Sequence, residues 1–529
     1  MAFLFNKEPK KRVLFVAPEA SPFAKAGGLG EVMFSLPRAL NDLGYDARVM
    51  IPRYAGVDLS KFHLRMEYEG LNVPTGSKSG KDNEPEFLTC NVRIYDPKEQ
   101  KDGKNGNGGN GGEKKLPVVT YFLENEEYYE KRSNIYGYGD DAVRWALLCR
   151  GVLEFFSRPK SRDWVPDVII ASDWQTGLLS QYLRTEYKNS PALSSVSTIF
   201  MIHNLYYQGL FDHHFVSEMD FDDGHSPVPS FFDSRLLKLN GMRRGIISSD
   251  IITTVSPTYA KEIMTKDFGE LLEDLLKERR SRVYGVLNGI DYHDFNPETD
   301  PHLPKKYSAK SIAGRAKNKQ ELQARFGLPK EKNVPVLAIV SRLVEQKGFE
   351  LLSTIIEPLL KELGFQLVVL GSGEAKYMNF FKDLMEKYPK QVSAHLSFDS
   401  ILPRLIYGGA DILLAPSRFE PCGLVQMEAM RYGTIPIVRN TGGLADSVED
   451  YNSRTDEGTG FKFADFNSFS FAIAITRACE HFRNAPVWKG IQKRAMIKDF
   501  SWENSAREYA SLFEVAADVR RRANGKDGK

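Results

Sequence analysis

The chain has 529 residues, more than one hydrophobic core ordinarily organises, so two or more domains are expected. Its 42% hydrophobic and 26% charged residues are those of an ordinary water-soluble globular protein. Against 71 Lys and Arg stand 69 Asp and Glu, and the resulting net charge of +2 gives no footprint for a nucleic acid.

Four cysteines, Cys90, Cys149, Cys422 and Cys479, are widely spaced and form no CxxC, which argues against a zinc-ribbon site or a disulfide framework and for a reducing compartment. The opening MAFLFNKEPKK has too short an apolar patch for a signal peptide, and no stretch approaches the ~18 apolar residues of a membrane helix. A cytoplasmic protein without a membrane partner is the expectation.

In chain order the first elements read strand, glycine-rich loop, helix, strand: KRVLFVAPEA, SPFAKAGGLGE, VMFSLPRALNDLG and YDARVMIP. Apolar runs LPVVTYFLE, PDVIIASD, STIFMIHN and SSDIITTVS follow with helical stretches between several of them, the pattern of a parallel sheet covered on both faces. The pattern then restarts with YGVLNGID, VPVLAIVSR, FQLVVLGSG, AHLSFD, DILLAPS and IPIVRN. Two α/β, Rossmann-like doubly wound domains are therefore predicted, 1–280 and 281–500, with a final helix over 501–522 crossing back to the first. The Gly/Asn-rich stretch 98–115 lacks the apolar surface to offset ordering entropy and reads as a disordered loop insertion.

Ligands of such sheets sit beyond the carboxyl ends of the strands. Four motifs take that position. KAGGLGE offers the Gly27–Gly28 backbone and the Lys25 cation to a phosphate; SRLVEQKG places Arg342 and Lys347 before a helix, where the macrodipole disfavours cations unless an anion joins them. VVLGSGE brings Gly371 and Gly373 to a position beneath a base or ribose, and TGGLADSV brings Thr441, Gly442 and Gly443 to another strand end. In SRFEPCGL, Glu420 stands beside the unpaired amides expected around Gly423 and Leu424, an arrangement that can grip a polyol; complementing the helix dipole is the plainer reading of that carboxylate taken alone.

Together KAGGLGEV, DWQTG, HNLYYQG, VSPTYAKEI, VLNGID, SRLVEQKG, SRFEPCGL and TGGLADSV occur in the order seen in bacterial glycogen synthases and plant starch synthases, and the chain resembles that family over nearly its whole length. The resemblance implies the GT-B fold, two Rossmann-like domains facing across a cleft, with the first on the acceptor side and the second binding the nucleotide sugar. It implies transfer of glucose from ADP-glucose or UDP-glucose, ADP-glucose being favoured, to the nonreducing end of an α-1,4-glucan (glycogen, starch or a maltooligosaccharide) with retention, using no metal and no cofactor. By position, Arg342, Lys347, Glu420 and Asn288 would carry the catalysis. Lys25, Gly27, Gly28, Glu31, Asp173, His203, Gly371, Gly373, Cys422, Gly423, Leu424, Thr441, Gly442 and Gly443 would bind substrate, with Cys422 lining the site rather than attacking. Two departures stand out: Glu31 replaces a frequent Asp, and Ser172 replaces the His of the family's frequent His-Asp-Trp. His203, at the end of STIFMIHN, reads as a strand-end structural histidine rather than a substitute. A retaining glucosyltransferase with a smaller acceptor and a catalytically impaired glucan-binding protein are the alternatives.

Overall fold

A computed structural model describes residues 10–79, 83–100, 116–158, 164–217 and 221–525. Most of the 98–115 loop lies outside the described residues. The chain divides into two compact units. Met1–Thr254, Glu262–Val286 and Ser505–Lys529 form the first; Val255–Lys261 and Leu287–Asn504 form the second.

The first unit is built on β1 (Arg12–Val16), β2 (Asp46–Pro52), β3 (Arg65–Ser79), β4 (Glu84–Tyr95), β5 (Thr120–Glu124), β6 (Val168–Ser172), β7 (Ser197–Ile202), β8 (Ile251–Thr254) and β9 (Val283–Gly285). Their order is β3-β4-β5-β2-β1-β6-β7-β8-β9. The strands from β5 through to β9 are parallel, and their apolar runs are continuous because helices cover both faces: Val13, Leu14, Phe15 and Val16 of β1 are fully buried. β3 and β4 form an antiparallel hairpin that the sequence pattern did not announce. Pro74 and the left-handed Gly70 and Gly76 interrupt β3, which is tolerated because β3 is an edge strand with register shifts.

The segment YGVLNGID, expected to open the second sheet, instead gives β9, which pairs with β8 and completes the first. The second unit carries β10 (Val336–Val340), β11 (Gln366–Leu370), β12 (Val392–His395), β13 (Ile412–Ala415), β14 (Ile435–Arg439) and β15 (Phe461–Phe463), all parallel, in the order β12-β11-β10-β13-β14-β15. Each sheet therefore has a topological switch point beside its first strand: between β1 and β6 in one unit, between β10 and β13 in the other. In open α/β sheets it is at such switch points, beyond the strands' carboxyl ends, that ligands bind.

The helix Trp502–Ala523 belongs to the first unit from Ser505 onward. Ala506, Tyr509, Phe513 and Ala516 make a buried stripe at helical spacing. Phe513 packs edge-on against Tyr45, and the Arg520 guanidinium donates to the Ser194 carbonyl.

Candidate active site

In the second unit the candidate residues gather at the switch point. Glu420 follows β13 and is nearly buried; its Oε2 accepts from Lys347 Nζ at 2.5 Å and from Ser417 Oγ at 3.0 Å. Both bonds fall on one oxygen, and among the described residues Oε1 has no protein donor. Lys347 comes from the short turn Glu345–Lys347 after β10, which is docked on the Glu420 loop: the Arg418 amide donates to the Gln346 carbonyl and Gln346 Nε2 to the Phe419 carbonyl. Arg342, at the end of the same strand, is exposed, and its guanidinium has no hydrogen bond or ion pair among the described residues. Of the two cations, Lys347 is held against a carboxylate and Arg342 is unpaired among the described residues.

Three glycines of this unit, Gly371, Gly373 and Gly443, sit where a side chain has no room. A Cβ on Gly371 would lie 1.9 Å from the Ser341 carbonyl oxygen, one on Gly373 2.3 Å from that of Leu343, and one on Gly443 2.0 Å from that of Cys422. The chain's own backbone fills the space in each case. The Gly443 amide donates to the Glu420 and Pro421 carbonyls, so it is not free for a phosphate as the strand-end glycine pair suggested. The glycines let three loops lie against one another, and that contact positions Arg342 and Glu420.

Cys422 is buried, which pushes its thiol up to about 12 and keeps it protonated; the Asn288 backbone N–H points at its sulfur. The Asn288 side-chain oxygen is buried without a partner. Gly423 is left-handed (φ 71°), and Leu424 caps the helix Val425–Arg431. Gln426 Nε2 donates to the Cys422 and Gly423 carbonyls, fixing the loop. Ser256 and Thr258, of the VSPTYAKEI motif, also belong to this unit. Ser256 Oγ donates to the Pro421 carbonyl at 2.7 Å, and Thr258 binds the Asp446 carboxylate through both its amide and its hydroxyl. Neither residue, nor Ser417, stood out in the sequence; the hydroxyls just beyond a strand were the available signal.

In the first unit the phosphate cradle expected at Lys25–Glu31 is occupied from within. Buried Glu19 accepts the amides of Ala26, Gly27 (3.1 Å) and Gly30 (3.2 Å) at the start of the helix Gly28–Asp42. The Gly27 amide is therefore taken, and Lys25 pairs with Glu31. Gly28 faces open space: nothing lies within 4 Å of where a Cβ would be. Glu19 was missed because nothing in PEASPF marks a carboxylate that folds back on a helix start.

Asp173 follows β6 at φ 58° and ψ 180°, a region few side chains tolerate and one that concentrates at functional sites. Burial first, and the Glu19 charge with it, pushes its carboxyl up to about 7 against the pull of the His203 and Asn204 amides, the former donating at 2.7 Å. Burial pushes the His203 imidazole down to about 4, so it is neutral at pH 7, and its Nε2 is buried without a partner. Ser172 Oγ is likewise buried and unpartnered.

The folded Asp173 carboxyl titrates near 7 and the unfolded one near its ordinary value of 3.8, so the folded state binds the proton more tightly. Stability should fall as pH rises from about 4 to about 7, at up to about 1.4 kcal/mol per pH unit, and level off above. Asp173→Asn, which keeps an acceptor for the His203 amide, should flatten that fall; urea midpoints at pH 5 and pH 8 measure it. Parallel pH profiles for the two proteins would refute the assignment.

Comparison with known proteins decides the family. A starch synthase catalytic domain matches residues 12–278, and a glycosyl transferases group 1 domain matches residues 320–485. The chain is 39% identical over 509 residues to a glycogen synthase of Desulforamulus reducens, covering 95% of this chain and 98% of that protein. It is 41% identical to one from Exiguobacterium sibiricum, covering 96% and 99%. The chain belongs to the glycogen and starch synthase family.

Members of this family are glycosyltransferases, and so is this chain. The catalytic domain of starch synthase IV from Arabidopsis thaliana, solved bound to ADP and acarbose, superposes with a TM-score of 0.77 at 30% identity over 96% of this chain and 99% of that one. A sucrose-phosphate synthase of Thermosynechococcus elongatus, at 15% identity and a TM-score of 0.55, shares the fold. Both units have the Rossmann-like sheets of GT-B glycosyltransferases. Among the described residues no helix is long and apolar enough to cross a membrane.

Proposed function

We propose that this chain transfers glucose from a nucleotide sugar, ADP-glucose by preference, to the nonreducing end of an α-1,4-glucan, with retention and without a cofactor. The observation that carries the reading is the grouping of unpaired Arg342 with the Lys347–Glu420 pair, whose Oε1 is left without a donor. In this reading Arg342 and Lys347 neutralise the departing nucleoside diphosphate, where charge develops. Glu420 Oε1 accepts from a hydroxyl of the transferred glucose, and the Asn288 amide oxygen from another. Within the first unit, the open Gly28 backbone is the part of the KAGGLGE loop free to meet a ligand. The ADP and acarbose bound to the plant relative support a nucleotide donor and a glucan-like acceptor.

The test is transfer by purified protein from ADP-glucose and UDP-glucose, with and without glycogen primer, with the new linkage read by NMR. Primer-dependent α-linkage formation, faster from ADP-glucose, is expected. Transfer only to small acceptors would replace the glucan, and glycogen binding without turnover from either donor would leave a binding protein. Gly28→Ala adds a focused check. With no neighbour within 4 Å it should leave the melting temperature unchanged yet slow transfer, because only an incoming donor can meet the methyl group. Unchanged turnover would remove Gly28 from the donor site.

A further inference from the structure

The first unit gathers two imidazoles on a single carboxylate oxygen. Glu270 Oε2 lies 3.0 Å from His213 Nε2 and 3.2 Å from His214 Nε2. His214 Nδ1 lies 3.1 Å from Asp212 Oδ1, and ligand atoms of Asp212, His213 and His214 all fall within 4.8 Å of one another. We propose that His213, His214 and Glu270 bind a divalent transition-metal ion, zinc in the first instance, with Asp212 as the positioning residue.

Three observations carry this. Ligands at about 2.0–2.1 Å in a tetrahedral zinc site lie about 3.3 Å from one another, so the Nε2–Oε2 separations already match the edge of such a site. The donor set, two imidazoles and a carboxylate, suits zinc or cobalt rather than calcium or magnesium, which take all-oxygen shells. Asp212 on His214 Nδ1 fixes the tautomer that leaves Nε2 free to ligate, the carboxylate–histidine arrangement that accompanies metal-bound imidazoles.

The scaffold fits the role. Glu270 and Leu271 both sit in left-handed backbone (φ 51° and 65°), turning the carboxylate toward the imidazoles, and Gln208 Nε2 anchors the Glu270 carbonyl at 2.7 Å. His213 is buried and packs its ring 4.1 Å from that of His214, with Tyr206 against both. His214 is half-exposed, so an ion can enter and a water can complete the fourth position. The ion would staple the turn His213–Phe215 to the segment at Glu270, 57 residues on.

The test uses the full chain without a histidine tag, stripped by chelator. Cobalt(II) titration should give one tetrahedral-type visible spectrum per chain, displaced by zinc, and zinc should raise the melting temperature. His214→Gln and Glu270→Gln should each weaken zinc by about 100-fold or more and abolish that thermal shift, while Asp212→Asn should weaken it about tenfold. His213 is buried and its replacement risks misfolding, so half-exposed His214 carries the decision. Wild type binding zinc no more tightly than a folded His214→Gln, or an octahedral cobalt spectrum that the substitutions leave unchanged, would overturn the proposal.

Discussion

Glu420→Gln should cut turnover by about 10- to 100-fold while leaving nucleoside diphosphate affinity within a few-fold. The amide keeps the shape of the carboxylate and can still accept from Ser417, but it loses the charge that strengthens a hydrogen bond to a sugar hydroxyl. Such charge-assisted bonds are worth about 1.5–3 kcal/mol, and about 1.4 kcal/mol is a tenfold rate. The structure adds a coupling that sequence could not supply: Lys347 sits on the same carboxylate at 2.5 Å, with both side chains largely out of water. Lys347→Ala therefore does two things. It removes a cation from the diphosphate, and it leaves Glu420 partly buried without its counter-charge, so it should weaken diphosphate binding and also lower the melting temperature, as broken buried pairs do. The double variant Glu420→Gln/Lys347→Ala should recover some of that stability and none of the turnover. Stopped-assay turnover, calorimetric ADP binding and thermal melts on the three proteins decide the matter. Near-normal turnover in Glu420→Gln would sink the sugar-gripping role and leave a helix-dipole carboxylate.

Gly443→Ala should be more damaging than its single methyl group suggests. The new Cβ would stand 2.0 Å from the Cys422 carbonyl oxygen and 2.5 Å from its carbon, and both are backbone, so no side chain can swing aside. The loop carrying Glu420 must move or the helix Gly442–Ser447 must tilt. Overpacking of this kind costs about 1–3 kcal/mol in stability. A displacement of about 1 Å in a catalytic carboxylate costs on the order of 100-fold in rate. Gly364→Ala, where nothing lies within 4 Å but the backbone is left-handed (φ 64°), is the comparison that isolates backbone strain from steric contact. Equal losses of turnover in the two variants would show that loop packing is not what positions Glu420.

The parallel strands were legible in the sequence because burial on both faces writes an unbroken apolar run, as in RVLFV and QLVVL. The hairpin β3–β4 was not. Its strands bury only alternate residues and carry Pro74, Gly70 and Gly76, so they read as loop. The motif loops were found at the right strand ends, but the meaning of their glycines was not: periodicity cannot reveal that Ser341, Leu343 and Cys422 would occupy a Cβ position. Glu19 escaped for a related reason. An acid is recognised as a helix cap when it immediately precedes the helix, and here it lies nine residues ahead of Gly28 and returns through a loop. Arg342 and Lys347 were picked out by one electrostatic rule, yet the structure separates them into an unpaired and a paired cation, a difference made by Glu420, 73 residues away from Lys347.

The helix Trp502–Ala523 bears on how the chain is made. Its buried stripe is part of the first unit, so that unit stays incomplete until this helix has emerged from the ribosome. Domains usually fold in the order of their synthesis, the N-terminal one first. Here every segment of the second unit, through Asn504, has emerged before the first can close over Tyr45 and Ser194. The nascent first unit must carry an apolar groove awaiting a helix more than two hundred residues downstream of Val286, so the order of completion runs against the order of translation.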